Sequence, residues 1–223
     1  MKKRSLMQRL LGAPYILWAA IFIIVPLIIV VYYSFTDSAG NFTLDNIKGL
    51  AGYKDIFLIS IEYSLIATVI TLLISYPFAY IMSRKKESTQ RIMMMLVMLP
   101  MWMNLLIRTY SWMNILEKNG IINNFLALIG VEPLKMIGTP GAVIFGMIYN
   151  YIPYMILPIY SVMAKIEPSL LEAAEDLGSN GFSKLRRIIL PLSMPGVVSG
   201  FTMVFVPSVS TFYISQKLGG KIM

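Results

Sequence analysis

Aromatic, amide and carboxylate side chains interrupt the long apolar stretches of this sequence, and they are the residues best suited to contact a solute. Aromatic faces attract cations, and a carboxylate in a partly desolvated site pairs with them. The pattern therefore predicts a pathway that favours a cationic solute. The candidate residues are Glu62, Trp102, Asn104, Tyr110, Tyr149, Asn150, Tyr151, Tyr154, Phe212 and Tyr213.

These side chains have a second interpretation if the apolar stretches cross a membrane. Tyrosine and tryptophan are enriched at both membrane surfaces, where they act as anchors. Glu62 lies near the end of its stretch and would then face headgroup water. Arg108 has the wrong sign for a cation pathway, so we expect a structural role, with its charge paired to a carboxylate or to helix carbonyls.

Residues that support catalysis or metal binding are scarce. The sequence has no Cys and no His, which excludes disulfides, thiolate nucleophiles and imidazole-based sites. Methionines cluster between Met93 and Met103, but thioethers commonly fill irregular apolar packing. Gly220 and Lys221 lack the Ser or Thr that would complete a phosphate loop. We therefore expect no catalytic residue, no metal and no cofactor in this chain.

Composition indicates a membrane protein. Of the 223 residues, 57% are hydrophobic and 13% are charged, whereas soluble proteins carry about 25% charged residues. A transmembrane helix needs about 20 apolar residues. The sequence predicts an all-α, polytopic helical bundle in a single domain, 1–223, with spans at 14–35, 61–83, 92–115, 140–164 and 195–214. A sixth span, which would return the chain to the cytoplasm, is expected to be missing from this sequence.

Basic residues predict the orientation of the spans. Twelve of them fall in segments that lie on one side if the N-terminus is cytoplasmic, and cytoplasmic segments are generally rich in Lys and Arg. The two loops predicted outside, about 36–60 and 116–139, carry only four lysines and also five acidic residues. The twelve are Lys2, Lys3, Arg4, Arg9, Arg84, Lys85, Lys86, Arg91, Lys165, Lys184, Arg186 and Arg187.

The segment 165–194, between the fourth and fifth spans, is too long for a simple connection between helices. Pro168 suits a first helical turn and Gly178 a left-handed stop, so the sequence predicts a short helix between them. Its apolar face would contain Leu170, Leu171, Ala174 and Leu177.

A second, basic helix is predicted at 182–190, with Pro191 and Pro195 marking the return to the membrane. On physical grounds alone, the resulting hairpin is equally suited to lie on anionic headgroups through its basic residues.

The same segment carries a spaced motif: Glu172, Ala173 and Ala174, then Gly178, then Ile188, Leu190 and Pro191. This spacing resembles the EAA motif of permease subunits of binding-protein-dependent ABC importers. The resemblance implies the type I importer permease fold, a bacterial inner membrane location and a cytoplasmic loop that couples to a separate ATPase. It also implies that ATP and magnesium bind to that ATPase. The implied partners are ATPase subunits in two copies, a second permease subunit, an external binding protein and membrane lipid, without nucleic acid.

Longer blocks extend the resemblance over nearly the whole chain. Among them SLIATVITLLISYPFAY, LPMWMNLLIRTYSW and YNYIPYMILPIYS are similar to spermidine/putrescine permease subunits, which implies polyamine transport. An importer of another small solute, such as an opine, a sulfonate or ferric iron, remains the alternative. An ion-coupled secondary carrier would need carboxylates near the midplane, which the spans lack. A membrane scaffold would leave the EAA match unexplained.

Overall fold

The computed structural model describes residues 14–211, 218 and 219. These residues form two compact units, one up to Phe57 and the other from Leu58 onward. The described part is helical apart from loops and one isolated bridge between Thr36 and Phe42, which confirms the all-α class. The single domain over 1–223 stays a prediction.

The first unit contains helix α1, Pro14–Ser34, with a π-helical stretch at Ala20–Ile24. A tight loop follows, in which the amides of Asn41 and Ala39 donate to the Asp37 carboxylate at 2.8 and 2.9 Å. These bonds, chiefly the one from Asn41, lower the pKa of Asp37. Helix α2, Asp45–Gly49, and a 3₁₀ turn, Leu50–Tyr53, lead into helix α3.

Seven helices follow in the described part of the chain. They are α3, Lys54–Ser83; α4, Glu87–Trp102; α5, Leu105–Leu116; α6, Ile121–Leu128; α7, Pro140–Met163; α8, Pro168–Asp176; and α9, Gly181–Ser210.

Among the described residues, four helices are long and apolar enough to cross a membrane, namely α1, α3, α7 and α9. Helix α4 and the segment Leu105–Leu128 pass the same test together, with a bend of 91° between them. The described part therefore contains up to five candidate spans, in agreement with the five predicted from sequence.

The sequence predicts a third span over 92–115, and in the structure two helices with a sharp bend between them occupy this stretch. Helix α4 ends at Trp102, and Met103 is extended, with φ −80° and ψ 143°. The side chain of Asn104 then accepts the Leu106 amide at 2.8 Å and begins α5. Pro100 lies in the last turn of α4 and cannot donate to the helix ladder, so this turn is weakened where the new cap begins.

The basic helix predicted at 182–190 is not separate from the fifth span. Helix α9 runs from Gly181 to Ser210 without a break, and Pro191 and Pro195 lie within it. A π-helical turn at Leu185–Ile189 ends with the Leu190 amide bonded to the Leu185 carbonyl. Pro191 has no amide hydrogen to donate to the helix ladder. We attribute the unbroken course of α9 to the wider π-helical turn directly before this proline.

Helices α7 and α9 approach each other closely through two glycines. A Cβ atom added at Gly196 would lie 2.8 Å from the Pro158 carbonyl oxygen. One added at Gly200 would lie 2.8 Å from Met155 Sδ and 3.2 Å from the Met155 oxygen. Small residues four apart allow helix backbones to approach in membranes, where hydrophobic exclusion does not drive helices together.

The buried face of α3 is also built mostly from small residues, and Met82, near the predicted cytoplasmic end, is its one large side chain. The hydroxyls of Thr68 and Thr71 each donate a hydrogen bond to the carbonyl four residues earlier, so they are satisfied without a partner helix. Ala79 and Met82 join Met155, Ile159 and Met163 of α7 in the main apolar cluster. Methionine thus fills the core, as expected from its flexible side chain.

Candidate functional site: the helical loop and the polar residues of the spans

The helical loop, residues 165–194, begins as the sequence predicts. Pro168 occupies the first turn of α8, where its missing amide costs no hydrogen bond. Gly178 has φ +81°, which confirms the predicted left-handed stop. The Gly178 amide donates to the Glu175 carbonyl at 2.8 Å and the Ser179 amide to the Ala174 carbonyl at 2.9 Å. These two bonds form a Schellman motif, which satisfies the last carbonyls of α8.

The apolar face predicted for α8 divides between core and solvent, because the body of the protein covers only one side of the helix. Ala174 is buried and Leu171 packs against the main apolar cluster. Leu170 and Leu177 are exposed, and Leu177 keeps 87% of its surface accessible. Leu170 and Leu177 together leave apolar surface on the outward side of α8.

The motif residues divide in the same way. Two motif residues face the protein. Ala174 is buried, and Ile188 is half-buried beside its buried neighbour Ile189. The remaining motif residues, Glu172, Ala173, Gly178, Leu190 and Pro191, are exposed. The loop therefore presents one outward surface and holds its other side against the protein.

An ion pair joins α8 to the beginning of α9, and a side-chain cap begins α9. Lys184 Nζ forms an ion pair with Glu175, and the Lys184 side chain is 17% exposed. The Asn180 side chain accepts the Ser183 amide at 2.8 Å and caps α9. The two helices of the loop are thereby held together at the turn between them.

Sequence reasoning missed a second group of residues that holds the base of the loop. The Arg84 guanidinium donates to the carbonyls of Ile166 at 3.1 Å and Met163 at 3.4 Å. Tyr160 donates its hydroxyl to Gln90 Oε1 at 2.7 Å. These bonds join the α3–α4 turn and the first turns of α4 to the last turns of α7 and the segment just after it. The carbonyls that Arg84 contacts are about eighty residues away, and such acceptors leave no local pattern in the sequence. The sequence shows only that Arg84 is basic.

The candidate pathway residues on α7 are gathered into one aromatic stretch. The Tyr149 ring meets Trp112 of α5 edge to face, with centroids 5.2 Å apart. Tyr151 and Tyr154 have tilted rings 6.2 Å apart, and the Tyr151 hydroxyl is bonded to Thr211. Asn150 is 2% exposed. Its amide donates to the Gly146 carbonyl at 2.8 Å, while its Oδ1 has no partner in the described part.

The other candidates are placed differently. Glu62 is exposed, on the face of α3 opposite its buried stripe, and Trp102 is 77% exposed at the end of α4. Asn104 caps α5, and Tyr110 of α5 is 41% exposed. Phe212 and Tyr213 lie outside the described residues.

Arg108 is 8% exposed, as a structural charge would be. Its Nε and Nη1 atoms are buried without a hydrogen-bond partner in the described part of the chain, so the predicted pairing is not found there. Trp112, one turn further along α5, contacts Tyr149 of α7. Helices α5 and α7 therefore each carry a buried polar residue, Arg108 and Asn150, near this contact.

Comparison with known proteins places this architecture in a family. Residues 75–222 match the family described as binding-protein-dependent transport system inner membrane component. The chain is 40% identical over 213 residues to the spermidine/putrescine transport system permease protein PotB of Haemophilus influenzae, covering 91% of this chain and 74% of that protein. It is 37% identical to PotB of Escherichia coli, covering 91% and 78%, respectively.

A further relative and a solved structure agree. The inner membrane ABC transporter permease protein YdcU of Escherichia coli is 30% identical, with 84% of this chain and 66% of that protein covered. A crystal structure of a bacterial ABC transporter that imports the acidic polysaccharide alginate matches with a TM-score of 0.71 at 20% identity, covering 92% of this chain and 75% of that one. This last likeness concerns the fold. Together, the matches identify the chain as a member of the binding-protein-dependent transport system inner membrane component family.

Proposed function

We propose that this chain is a transmembrane permease subunit of an ATP-driven importer of polyamines such as spermidine and putrescine. The observation that carries the proposal is the similarity, over 91% of the chain, to permeases named for that transport system. The proposed partners are a separate ATPase in two copies, a second permease subunit and an external binding protein. ATP hydrolysis is assigned to the ATPase, with this chain acting in transport.

The helical loop is the proposed coupling element. Its outward surface carries Glu172, Ala173 and the exposed Leu177, with the small alanine permitting close approach by a groove of the ATPase. The Schellman motif and the Lys184–Glu175 pair support a stiff lever, since both restrain the end of α8 and the turn after it. Arg84 links its base to the α3–α4 turn, which offers a physical connection to the spans.

The proposed contribution to the solute pathway comes from the aromatic stretch of α7. Tyr149, Tyr151 and Tyr154 offer ring faces to a cationic amine, which is attracted to them in a partly desolvated setting. Glu62 is the one carboxylate within a predicted span. The positive charge of Arg108 would repel a cationic solute. Further carboxylates that attract the solute are therefore assigned to the second permease subunit.

Uptake by the reconstituted complex tests this function. The chain should be purified with its ATPase and second permease, placed in proteoliposomes with ATP inside, and supplied with binding protein and radiolabelled spermidine or putrescine. We expect ATP-dependent accumulation of polyamine by the complex and none by this chain alone, because the chain has no phosphate loop and only part of a pathway.

Two outcomes would contradict the proposal. ATP-dependent uptake of an opine, a sulfonate or ferric iron, without uptake of polyamine, would assign the complex to another solute. Polyamine uptake by the isolated chain, driven by an ion gradient, would identify a secondary carrier instead. A complex with an ATPase inactivated in its phosphate loop serves as the matched control.

The orientation of the chain in the membrane is also a proposal, with the N-terminus and the helical loop in the cytoplasm. We expect single cysteines at Ser88 and Ser179 to resist an impermeant thiol reagent added to intact cells, whereas one at Ser38 reacts. The native chain has no Cys, so each label reports one position. Permeabilised cells provide the control, in which all three should react. Labelling of Ser179 from outside would reverse the topology.

A further inference from the structure

A groove opens at the end of α5, where the chain turns toward α6 and later enters α7. Its mouth is a cavity of about 410 Å³, bordered by Glu117, Lys118 and Lys135. All three side chains are exposed, so the mouth is polar and carries a net positive charge. Apolar residues form the rest of its lining, namely Leu116, Pro133, Met136 and Ile137.

A second cavity of about 420 Å³ continues the groove along α7. It shares Leu116, Lys135 and Met136 with the first cavity, so the two adjoin. Its remaining lining is largely apolar and includes Leu134, Ala142 and Phe145. The groove is therefore amphipathic along its length, with charge at the mouth and an apolar floor.

The groove follows the beginning of α7, which is one of the candidate spans. Phe145 is five residues into α7, which corresponds to about 7 Å below the helix start at Pro140. The ring of Phe145 is held edge to face by Trp112, with centroids 4.6 Å apart. Gly141, in the first turn of α7, also borders the cavity, and the positive end of this long helix favours an anion there.

We propose that this groove binds one anionic glycerophospholipid, with its headgroup phosphate at Lys118 and Lys135 and an acyl chain against Leu134, Met136 and Phe145. The net positive mouth favours a headgroup with net negative charge over a zwitterionic one, because one lysine near a membrane surface changes the affinity for anionic lipid about fivefold. The inference concerns membrane lipid and does not depend on which solute the complex carries.

Photocrosslinking in the assembled complex tests the proposal. Benzoylphenylalanine replaces Leu134, which is 53% exposed at the floor of the groove, or Leu73, which is 68% exposed on α3 and serves as the matched control. The complex is illuminated in bilayers of equal parts phosphatidylglycerol and phosphatidylethanolamine, and mass spectrometry of the labelled peptide identifies the adduct. We expect the ratio of phosphatidylglycerol to phosphatidylethanolamine adducts to be about fivefold higher at Leu134 than at Leu73.

Charge variants should move this ratio in opposite directions. Lys118→Gln combined with Lys135→Gln leaves only the Glu117 charge and should lower the Leu134 ratio to that of Leu73 or below it, while Glu117→Gln should raise it. A ratio at Leu134 equal to that at Leu73 would mean nonselective boundary lipid and would overturn the proposal. A crosslink to another subunit or to the binding protein would also overturn it. Because adducts are measured without transport, none of these results depends on polyamine uptake.

Discussion

Gly178→Leu is expected to reduce ATP-dependent uptake about tenfold while leaving the amount of chain in the membrane unchanged. Gly178 has φ +81°, a left-handed conformation that costs a residue with a side chain about 1 to 2 kcal/mol. A Cβ atom there would meet nothing within 4 Å. The expected defect is therefore a redirected backbone after α8, with loss of docking to the ATPase.

The measurements are polyamine uptake, the amount of chain in membranes and the amount of ATPase recovered with the complex. Gly181→Leu is the matched control, since Gly181 lies in the same loop, has open space around it and lacks a left-handed φ. Gly178→Asn should retain much of the activity, because asparagine tolerates the left-handed region better than leucine does. Normal uptake by Gly178→Leu would remove the helical loop from the coupling mechanism.

Gly196→Leu is expected to prevent stable packing of α7 against α9, with a loss of about 3 kcal/mol or more in stability. The added Cβ would lie 2.8 Å from the Pro158 carbonyl oxygen and 3.0 Å from Ile159 Cα. These atoms belong to the helix backbone, so they cannot move aside as a flexible side chain would. The whole α7–α9 pair would have to separate.

Thermal unfolding of the purified complex, followed by size-exclusion chromatography, measures this effect. Gly181→Leu is the matched control, because Gly181 also lies in α9 and an added Cβ there would meet nothing within 4 Å. We expect aggregation or a strongly lowered midpoint for Gly196→Leu only. Equal midpoints for both variants would show that the close approach of α7 and α9 contributes little to stability.

The features that followed from sequence are those decided by neighbouring residues. Pro168 and Gly178 bound α8 because the requirements of a first turn and of a left-handed stop are local. The number of spans also followed, since the length and hydropathy of a segment decide whether it can cross a bilayer. The spaced motif of the loop identified the family before any contact was known.

Tertiary structure decided the features that depend on residues far apart in the chain. The bond from Arg84 to the Ile166 carbonyl joins positions 82 residues apart, and a carbonyl acceptor is available at every residue, so sequence does not single one out. The lipid groove similarly needs the end of α5 and the beginning of α7 together. Even Asn104, a candidate pathway residue by sequence, has a side chain that caps α5 at the break in the third span.

The sequence by itself thus determined the membrane class, the family and the short capped helix of the loop, because hydropathy, capping and spacing are properties of contiguous residues. Only the tertiary structure decided which side of α8 is exposed, where the third span bends and which polar groups of α5 and α7 are buried. These depend on which surfaces the packed helices cover, and the same local sequence is compatible with more than one such arrangement.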